Sequence, residues 1–580
     1  MPRGGTADQP TEPIDWVTRA ADDAIRHAGG QEALVHGLPE GRVVTCASGA
    51  SPSGPIHLGN LREFLTPHFV AEELRRRGVA VRHLHSWDDF DRFRKVPAGV
   101  DPSWAEHIGR PLSAVPDPWE CHVSWAEHFK APLREALVEL GVEMVEVSQT
   151  EQYLAGTYTE QVLHAIKHRD VIEEVLGKFR TKKAEPAPES AQEAAALADS
   201  VAEDDEQGGS GTGDLARFPY RPYCRTCGRD TVDITAYDDD TTDLDYTCTS
   251  CGESHTTTVA TQHEGKLVWK VDWPMRWAFE GVDFEPGGLD HSTPGSSYTV
   301  GKELVPRLFD FRAPSYVAYA FVGFAGMQKM SSSAGGVPTA ADALRILEPP
   351  ILRWLYARRQ PKQAFDIDFG PEVVRLYDEW DSLARKAADP GKRDAQVLAR
   401  ERAVATSTAG TLPAPKVVVP FRLLSSVADV TAGSAELISR IVGDVGHAHD
   451  SVEDLEPRLG RAMTWMSEYV PASERTTVRE TKDAARLAAL TEDEELWLRQ
   501  LLDRLPDRLE LEETSALIYG VPKLARGMGL DDPPTDEVKA DQKAFFGLLY
   551  HLLVDAERGP RLPTLFLALG AEKVRALLTP

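Results

Sequence analysis

The sequence predicts an α/β fold built on a parallel sheet, with an inserted four-cysteine module and an all-α C-terminal part. Residues 42–47 form a β-branched run typical of a buried parallel strand, and residues 61–77 then show helical apolar spacing. Four cysteines fall in two close pairs between residues 224 and 251. From about residue 339 the apolar pattern is helical almost to the end. A strand, a loop of small residues and a helix in this order indicate a Rossmann-type sheet.

The loop between that strand and that helix has the features of a nucleotide site. Gly49 and Gly54 let the backbone approach a ligand closely, and the first turn of the helix offers free N–H groups and a positive dipole end to phosphate. His57 lies in that turn. Taken alone the pattern is weak, because a histidine in such a turn is more often structural.

A second stretch, Gly326-Met-Gln-Lys-Met-Ser-Ser-Ser333, strengthens the interpretation. Its lysine brings a point charge to phosphates, and its serine hydroxyls add donors. Pro52-Ser-Gly-Pro-Ile-His-Leu-Gly-Asn60 resembles the HIGH signature of class I aminoacyl-tRNA synthetases, and Lys329 to Ser333 resembles their KMSKS loop. Many such loops carry a further base near the serines, whereas Ala334 follows here. Lys329 remains, so we expect full activity.

The wider chain resembles one group within that class, the lysyl-tRNA synthetases. The resemblance is carried by residues 86–97, 109–118, 267–277, 287–291 and 545–566, and it extends from about residue 41 to the end. We interpret residues 267–277 as partly strand-like and residues 317–324 as one strand. The resemblance implies a Rossmann-type catalytic domain with an inserted zinc-ribbon-like connective domain, followed by an all-α anticodon-binding domain.

The predicted domain boundaries follow from these patterns. They are an N-terminal extension (1–40), the first half of the catalytic domain (41–183), an acidic disordered insert (184–215), a zinc-ribbon-like insertion (216–262), the second half of the catalytic domain with the KMSKS-like loop (263–338), a helical stem-contact connector (339–400) and an α-helical anticodon-binding domain (401–580).

The resemblance also implies the residues that carry the chemistry. The expected catalytic residues are His57, Asn60 in the place of the second histidine of the signature, and Lys329. The expected ATP-binding residues are Pro52, Ser53, Gly54, His57, Gly59, Asn60, Gly288, Lys329, Met330, Ser331 and Ser332, with Mg²⁺ bridging the phosphates. The expected substrate-binding residues are Gly49, Ser51, Glu63, Trp269, His291 and Tyr319. Glu63 is expected to select the lysine ammonium, although the helix position alone favours a surface acid.

The cysteine spacing predicts a structural zinc site independently of the resemblance. Cys224-Arg-Thr-Cys227 and Cys248-Thr-Ser-Cys251 form two knuckles separated by twenty residues, a spacing that allows tetrahedral binding of Zn²⁺ by four thiolates. Four protein ligands leave no open position for catalysis. Free thiols from a lost site are the alternative. We expect Cys46 and Cys121 to be reduced thiols packed as small apolar side chains.

The charge balance limits how RNA could bind. Lys and Arg total 64 against 91 Asp and Glu, which gives a net charge of −27. Any tRNA site must therefore be a local basic patch. Residues 184–214 contain nine acids and no base, and we expect this segment to be disordered. There is no apolar run of about 20 residues and no signal-like start, so we expect a cytoplasmic protein without membrane contact, and a monomer.

The resemblance implies a lysine–tRNA ligase that uses ATP, L-lysine and tRNA(Lys), and presents the acyl group to the 2′-hydroxyl of the terminal adenosine. One alternative is a non-catalytic, tRNA-binding regulatory paralogue, which predicts loss of His57, Lys329 or the pocket residues. Another is an adenylating ligase with a small-molecule amine acceptor, which predicts a missing C-terminal helical half. Neither loss is seen.

Overall fold

A computed structural model describes residues 14–180, 215, 217–327, 336–530 and 532–580. The chain divides into two compact units. The first contains residues 1–344, 349–368 and 383–412, and the second contains residues 345–348, 369–382 and 413–580. All described strands belong to the first unit, whereas the described elements of the second are helical. The predicted fold class, a parallel-sheet α/β part followed by an all-α part, is confirmed.

The strands of the first unit are β1 (Val44–Ala50), β2 (Val81–Trp87), β3 (Val145–Ser148), β4 (Tyr220–Pro222), β5 (Val232–Tyr237), β6 (Asp243–Cys248), β7 (Ser254–Thr258), β8 (Gly265–Leu267), β9 (Val282–Gly288), β10 (Ser315–Tyr319), β11 (Val322–Phe324), β12 (Phe365–Ile367), β13 (Ala405–Thr406) and β14 (Gly410–Thr411). Its helices up to residue 357 are α1 (Trp16–Gly29), α2 (Ala33–His36), α3 (Leu61–Arg76), α4 (Trp125–Glu139), α5 (Gln149–Leu154), α6 (Thr159–Lys167), α7 (Arg169–Arg180), α8 (Trp269–Glu280), α9 (Ser297–Leu308), α10 (Ala340–Leu344) and α11 (Pro349–Ala357).

The remaining helices follow in chain order. Residues of α12 (Glu372–Ala387) are divided between the units, and α13 (Ala395–Val404) belongs to the first. The second unit then contains α14 (Phe421–Val430), α15 (Ala435–Asp444), α16 (Arg458–Tyr469), α17 (Ala484–Leu487), α18 (Glu492–Arg504), α19 (Leu511–Ala525), α20 (Asp536–Val554) and α21 (Leu562–Leu578). Among the described residues, no helix is both long and apolar enough to cross a membrane.

The central sheet of the first unit is parallel throughout, in the order β10-β9-β1-β2-β3. The chain runs outward from β1 to β3 on one side and from β9 to β10 on the other, so the strand order reverses between β1 and β9. Pairing aligns Ala50 with Trp87, and Gly288 with Tyr319, at the carboxyl ends of the strands. Ligands of open α/β sheets bind at such a reversal, outside the carboxyl ends.

Two local interpretations of the sequence are wrong. Residues 269–280 form helix α8, and only Gly265–Leu267 before them is a strand. Trp269, Trp273 and Trp277 are spaced by four residues, so a helix brings all three to one face. Residues 317–324 are not one strand, because β10 ends at Tyr319 in the central sheet while β11 pairs with β12 in a separate two-stranded sheet.

The inserted module consists of short antiparallel pairings. Strands β5, β6 and β7 form a three-stranded sheet, and β4 pairs with β8. Val232 and Tyr246 pack in a small buried cluster with Cys224 and Cys248. This core is small for an independent module, so a bound metal would supply much of its stability. The predicted acidic segment 184–214 lies outside the described residues.

The second unit has an apolar core between amphipathic helices and one buried ionic group. Its core includes Trp497, Phe545 and Phe566. Arg458 is buried and donates from Nε to Glu348 Oε1 at 2.6 Å, and from both terminal nitrogens to Asp381 at 2.8 and 2.9 Å. The two carboxylates and the carbonyl of Val419 thus satisfy the guanidinium inside the unit.

Candidate functional site

Glu63 lies at the centre of the candidate site, in the first turn of α3 beside the end of β1. Its Oε1 accepts the backbone N–H of Gly49 at 3.2 Å, and its Oε2 accepts the hydroxyl of Tyr319. Burial, together with the carboxyl groups of Glu285 and Asp290, raises the pKa of Glu63 to about 8. The structure thus brings three predicted substrate residues together around one carboxyl group, which a nearby cation would ionise.

A second buried carboxyl group, Glu285 on β9, belongs to the same site. Its two oxygens accept the indole N–H groups of Trp273 at 3.0 Å and Trp277 at 2.7 Å. Burial raises the pKa of Glu285 to about 7, against the effect of these hydrogen bonds and of the Arg276 charge. Two carboxyl groups with raised pKa values therefore face the reversal point of the sheet, and both favour a positively charged ligand.

Tryptophan side chains of α8 form the apolar wall of this region. Trp269 stacks on Trp273, with ring centroids 5.3 Å apart and an interplanar angle of 11°. The ring of His291 meets Trp273 edge-on at 5.6 Å. A cavity beside them is also lined by Gly49 and Glu285. The predicted residues Trp269 and His291 are thus joined to the Glu63 side of the site through Trp273.

A layer of ion pairs lies beneath the wall. Arg276 is buried and donates to Asp88 at 2.9 Å, with Asp272 3.2 Å away. Lys266 pairs with Asp91 at 2.5 Å. Asp88 and Asp91, which follow β2, are therefore neutralised by neighbouring cations. We assign these pairs a structural role, since each of these carboxyl groups already has a basic partner.

His57 and Asn60 lie on the nucleotide side, in a tight turn at residues Leu58–Asn60 that leads into α3. The Oδ1 of Asn60 accepts the backbone N–H of His57 at 3.2 Å, and the N–H of Leu58 donates to the carbonyl of Pro338 at 2.9 Å. Burial lowers the pKa of His57 to about 4. The side chains of His57 and Asn60 form a reciprocal capping box with each other's backbone N–H groups, which fixes the turn.

Glycines near this turn cannot carry a side chain without local change. A Cβ at Gly59 would lie 2.7 Å from Cε1 of His57 and 3.3 Å from the carbonyl oxygen of Val322. A Cβ at Gly288 would lie 2.1 Å from an oxygen of Asp290. At both positions the neighbouring atoms lie so close to the backbone that only glycine fits without local change.

The rest of the predicted ATP loop is partly accessible. Pro52 and Gly54 are buried, whereas Ser51 and Ser53 are exposed. The carbonyl of Ser53 accepts the indole N–H of Trp125 at 3.2 Å. The predicted residues Lys329, Met330, Ser331 and Ser332 lie outside the described residues.

The four predicted metal ligands of the inserted module converge. The sulfur atoms of Cys224 and Cys251 are 3.7 Å apart, those of Cys227 and Cys248 are 3.6 Å apart, and all four lie within 4.8 Å of one another. A zinc ion with sulfur ligands at about 2.3 Å requires separations of about 3.8 Å. The donor set therefore fits tetrahedral zinc with four thiolates.

The prediction for the other two cysteines is only half right. Cys46 is buried as expected, and burial raises the pKa of its thiol. Cys121 is exposed instead of packed. It lies in the segment before α4, where the chain turns around Asp117 and the neighbouring side chains are polar.

Comparison with known proteins assigns the family. The model of the tRNA synthetases class I (K) matches residues 14–409. The chain belongs to this family. It is 52% identical to the lysine–tRNA ligase of Streptomyces coelicolor over 98% of this chain and 99% of that protein. It is 33% identical to those of Thermococcus kodakarensis, over 97% of this chain and 98% of that one, and Pyrococcus horikoshii, over 96% and 97%.

Sequence reasoning missed one acid of this class I site. Glu285 lies on β9, which is buried along its whole length, and Asp283 and Glu285 interrupt the continuous apolar run that such a buried parallel strand normally shows. The sequence feature that indicates Glu285 is its position shortly before the paired glycines that end the strand. Trp273 also contacts the site, although only Trp269 of the three tryptophans is predicted to do so.

Proposed function

We propose that the chain is a lysine–tRNA ligase, which activates L-lysine with ATP and transfers the lysyl group to the 3′-terminal adenosine of tRNA(Lys). The observation that carries the proposal is the pair of buried carboxyl groups, Glu63 and Glu285, with raised pKa values beside a tryptophan wall. The full-length similarity to lysine–tRNA ligases supports it.

The pocket chemistry suits a long cationic side chain. An ammonium group beside Glu63 would ionise the carboxyl group and form a charge-assisted hydrogen bond, which replaces the hydration that it loses on burial. Trp269 and Trp273 would cover the four methylenes, while Tyr319 holds the Glu63 carboxyl group in place. A neutral side chain of similar length would form no ion pair with these carboxyl groups, so the site would favour lysine over it.

Activation is an attack of the lysine carboxylate on the α-phosphorus of ATP, with pyrophosphate as the leaving group. The barrier is lowered by orientation and by donors aimed at the phosphate oxygens. With a pKa of about 4, His57 is neutral at pH 7 and can donate one ring N–H to a phosphate oxygen. Lys329 then supplies the cationic contact, and Asn60 holds the turn. Mg²⁺ would add charge neutralisation at the phosphates when bound.

The second step transfers the lysyl group to tRNA. A hydroxyl of the terminal adenosine attacks the adenylate carbonyl, and AMP leaves with the electrons of the broken bond. We assign anticodon binding to the helical C-terminal residues 401–580. The four-cysteine site would hold Zn²⁺ as a structural ion, because four thiolates complete its coordination.

Pyrophosphate exchange with each amino acid in turn, followed by aminoacylation of tRNA(Lys), tests the proposal. We expect exchange with lysine alone, and charging of tRNA(Lys). Binding of tRNA without exchange for any amino acid would instead identify a regulatory paralogue. Exchange with lysine, but transfer only to a small amine, would identify an adenylating ligase of another kind.

A further inference from the structure

A buried arginine lies next to Glu63 in the chain. Arg62, in the first turn of α3, is only 3% exposed, although arginine is almost never fully buried unless it is paired. All its described hydrogen bonds go to main-chain carbonyl groups. Such a guanidinium fixes the backbone that carries these carbonyls, because a buried carbonyl that loses its donor is costly.

The guanidinium of Arg62 joins two segments that are distant in sequence. Its Nη1 donates to the carbonyl of Ala320 at 2.9 Å and also to that of Pro361, and its Nη2 donates to the carbonyl of Gln363 at 2.9 Å. The N–H of Ala320 donates to the same Pro361 carbonyl at 2.9 Å. The ring of Phe365 lies 5.1 Å from the guanidinium carbon. Both main-chain polar groups of Ala320 are therefore fixed, and the planar fork of arginine is suited to reach several carbonyls at once.

Ala320 directly follows Tyr319, the last residue of β10. Tyr319 pairs with Gly288 on β9, and its hydroxyl donates to Oε2 of Glu63. Two consecutive residues of α3 thus hold two consecutive residues at and just after the end of β10. Glu63 accepts the hydroxyl of Tyr319, and Arg62 binds the carbonyl of Ala320. The chain leaves the central sheet at Ala320, so this contact restrains the main chain from which the Tyr319 side chain projects.

We propose that Arg62 is a positioning residue of the lysine site, which fixes the main chain at Ala320 and thereby holds the Tyr319 hydroxyl on the Glu63 carboxyl group. The guanidinium acts through Tyr319 and needs no contact with lysine. This role rests on the proposed function, because it requires lysine to bind at Glu63. Loss of Arg62 should therefore weaken the binding of lysine and leave the binding of ATP nearly unchanged.

Arg353 offers a matched control within the same compact unit. It is also buried, and it donates to the main-chain carbonyls of Leu140 and Arg402 at 2.8 and 3.1 Å. The ring of Phe69 lies 5.1 Å from its guanidinium carbon, the same distance as in the Arg62 environment. Substitution of either arginine by Met removes similar contacts, so a defect that appears only at Arg62 cannot come from general loosening of the fold.

Pyrophosphate exchange with full-length variants tests the role, at a temperature where thermal unfolding shows each variant to be folded. We expect Arg62→Met to raise the KM for lysine about 5- to 30-fold and the KM for ATP less than about threefold. Arg353→Met should leave both KM values within about threefold of the original. In a Tyr319→Phe background, Arg62→Met should raise the KM for lysine less than about threefold further, because both changes remove the same interaction.

The ionisation of Glu63 gives a second readout. Burial raises the pKa of Glu63 to about 8, and the hydroxyl of Tyr319 opposes this rise. Glu285 and Asp290 add to the rise, whereas the N–H of Gly49 also opposes it. A misplaced Tyr319 hydroxyl should therefore raise the pKa of Glu63 further, and a higher pH is then needed to form the carboxylate that binds the ammonium.

Arg62→Met should consequently reach its full kcat/KM for lysine at a higher pH than the unchanged protein, whereas Arg353→Met keeps the original profile. An unchanged profile, a KM for lysine within about threefold of the original, additive effects of Arg62→Met and Tyr319→Phe, or equal defects in Arg62→Met and Arg353→Met would each overturn the role. If Arg62→Met does not fold, Arg62→Lys decides in the same cycle, with an expected rise of about three- to tenfold, because it keeps the charge but not the fork.

The same experiment separates this role from the proposed function. No exchange with any amino acid by the unchanged protein would refute the proposed function and the positioning role with it. Exchange with lysine that neither Arg62→Met nor Arg62→Lys impairs would overturn the positioning role alone.

Discussion

Substitution of Glu63 by Gln removes the ionisable group of the candidate lysine site and little else. The side-chain amide keeps a carbonyl that can accept the N–H of Gly49, and Tyr319 keeps a polar neighbour. The variant should therefore fold normally. Its defect should appear in the binding of lysine rather than of ATP, because we propose that Glu63 binds the lysine ammonium.

The size of the defect follows from the pKa of about 8. Removal of one partner from a buried ion pair costs about 3–5 kcal/mol. At pH 7, however, ionisation of Glu63 in the free protein costs about 1.4 kcal/mol, since the pKa lies about one unit higher. The net loss is about 2–4 kcal/mol, which corresponds to a KM for lysine raised about 30- to 700-fold.

The sign of the pH dependence is fixed by the same pKa. The ionised carboxylate binds the ammonium, so the ionisation cost disappears as the pH rises through about 8. The ratio of the variant KM to the original KM should therefore widen about tenfold between pH 7 and pH 9, since one pKa unit is one decade. Comparison at each pH cancels the titration of lysine itself.

Pyrophosphate exchange at varied lysine concentration, from pH 6.5 to 9, measures this ratio. Glu135→Gln, an exposed acid on α4, is the matched control and should leave both KM values unchanged. A lysine KM within about threefold of the original, or a ratio that narrows as pH rises, would refute the assignment of Glu63 as the group that binds the ammonium.

Three further predictions concern other parts of the molecule. His57→Ala should lower kcat for exchange about 10²- to 10³-fold, with a defect that stays constant from pH 6 to 8 in a pH–rate profile, because His57 with a pKa of about 4 is neutral there. Arg458→Met leaves the buried Glu348 and Asp381 without their cation, so thermal unfolding with limited proteolysis should report a helical unit less stable by about 3–5 kcal/mol. Cys248→Ser should lower zinc content by one equivalent and increase protease cleavage within the inserted module.

The fold class could be predicted because its signals are local. The β-branched run at residues 42–47 and the helical spacing of residues 61–77 correspond to β1 and α3 within three residues. Strand β9 could not be found in this way, because its two acids break the apolar pattern. Asp283 is tolerated inside the protein because groups distant in sequence, Arg42 and the backbone N–H of Thr45, donate to it.

The same contrast holds at the candidate site. The turn that contains His57 and Asn60 is encoded in one short segment, and the structure forms it as a tight turn. The tryptophan content of residues 267–277 suggests a strand, because tryptophan favours strands on average. The four-residue spacing of the tryptophans instead favours the helix α8 that the structure forms. The Arg458 group depends on which side chains meet after folding, and no local pattern contains that information.

The pairing of β1 with β9 has a consequence for folding during synthesis on the ribosome. Strand β1 is central in the finished sheet, yet Thr45 meets Val282 only after roughly 240 further residues have been made, which takes about 12–50 s at about 5–20 residues per second on the ribosome. During that interval one edge of an apolar strand has no partner. The nascent chain therefore exposes an unpaired, aggregation-prone strand edge for seconds. The yield of folded protein in cells should depend on chaperones that cover this edge until residue 282 emerges.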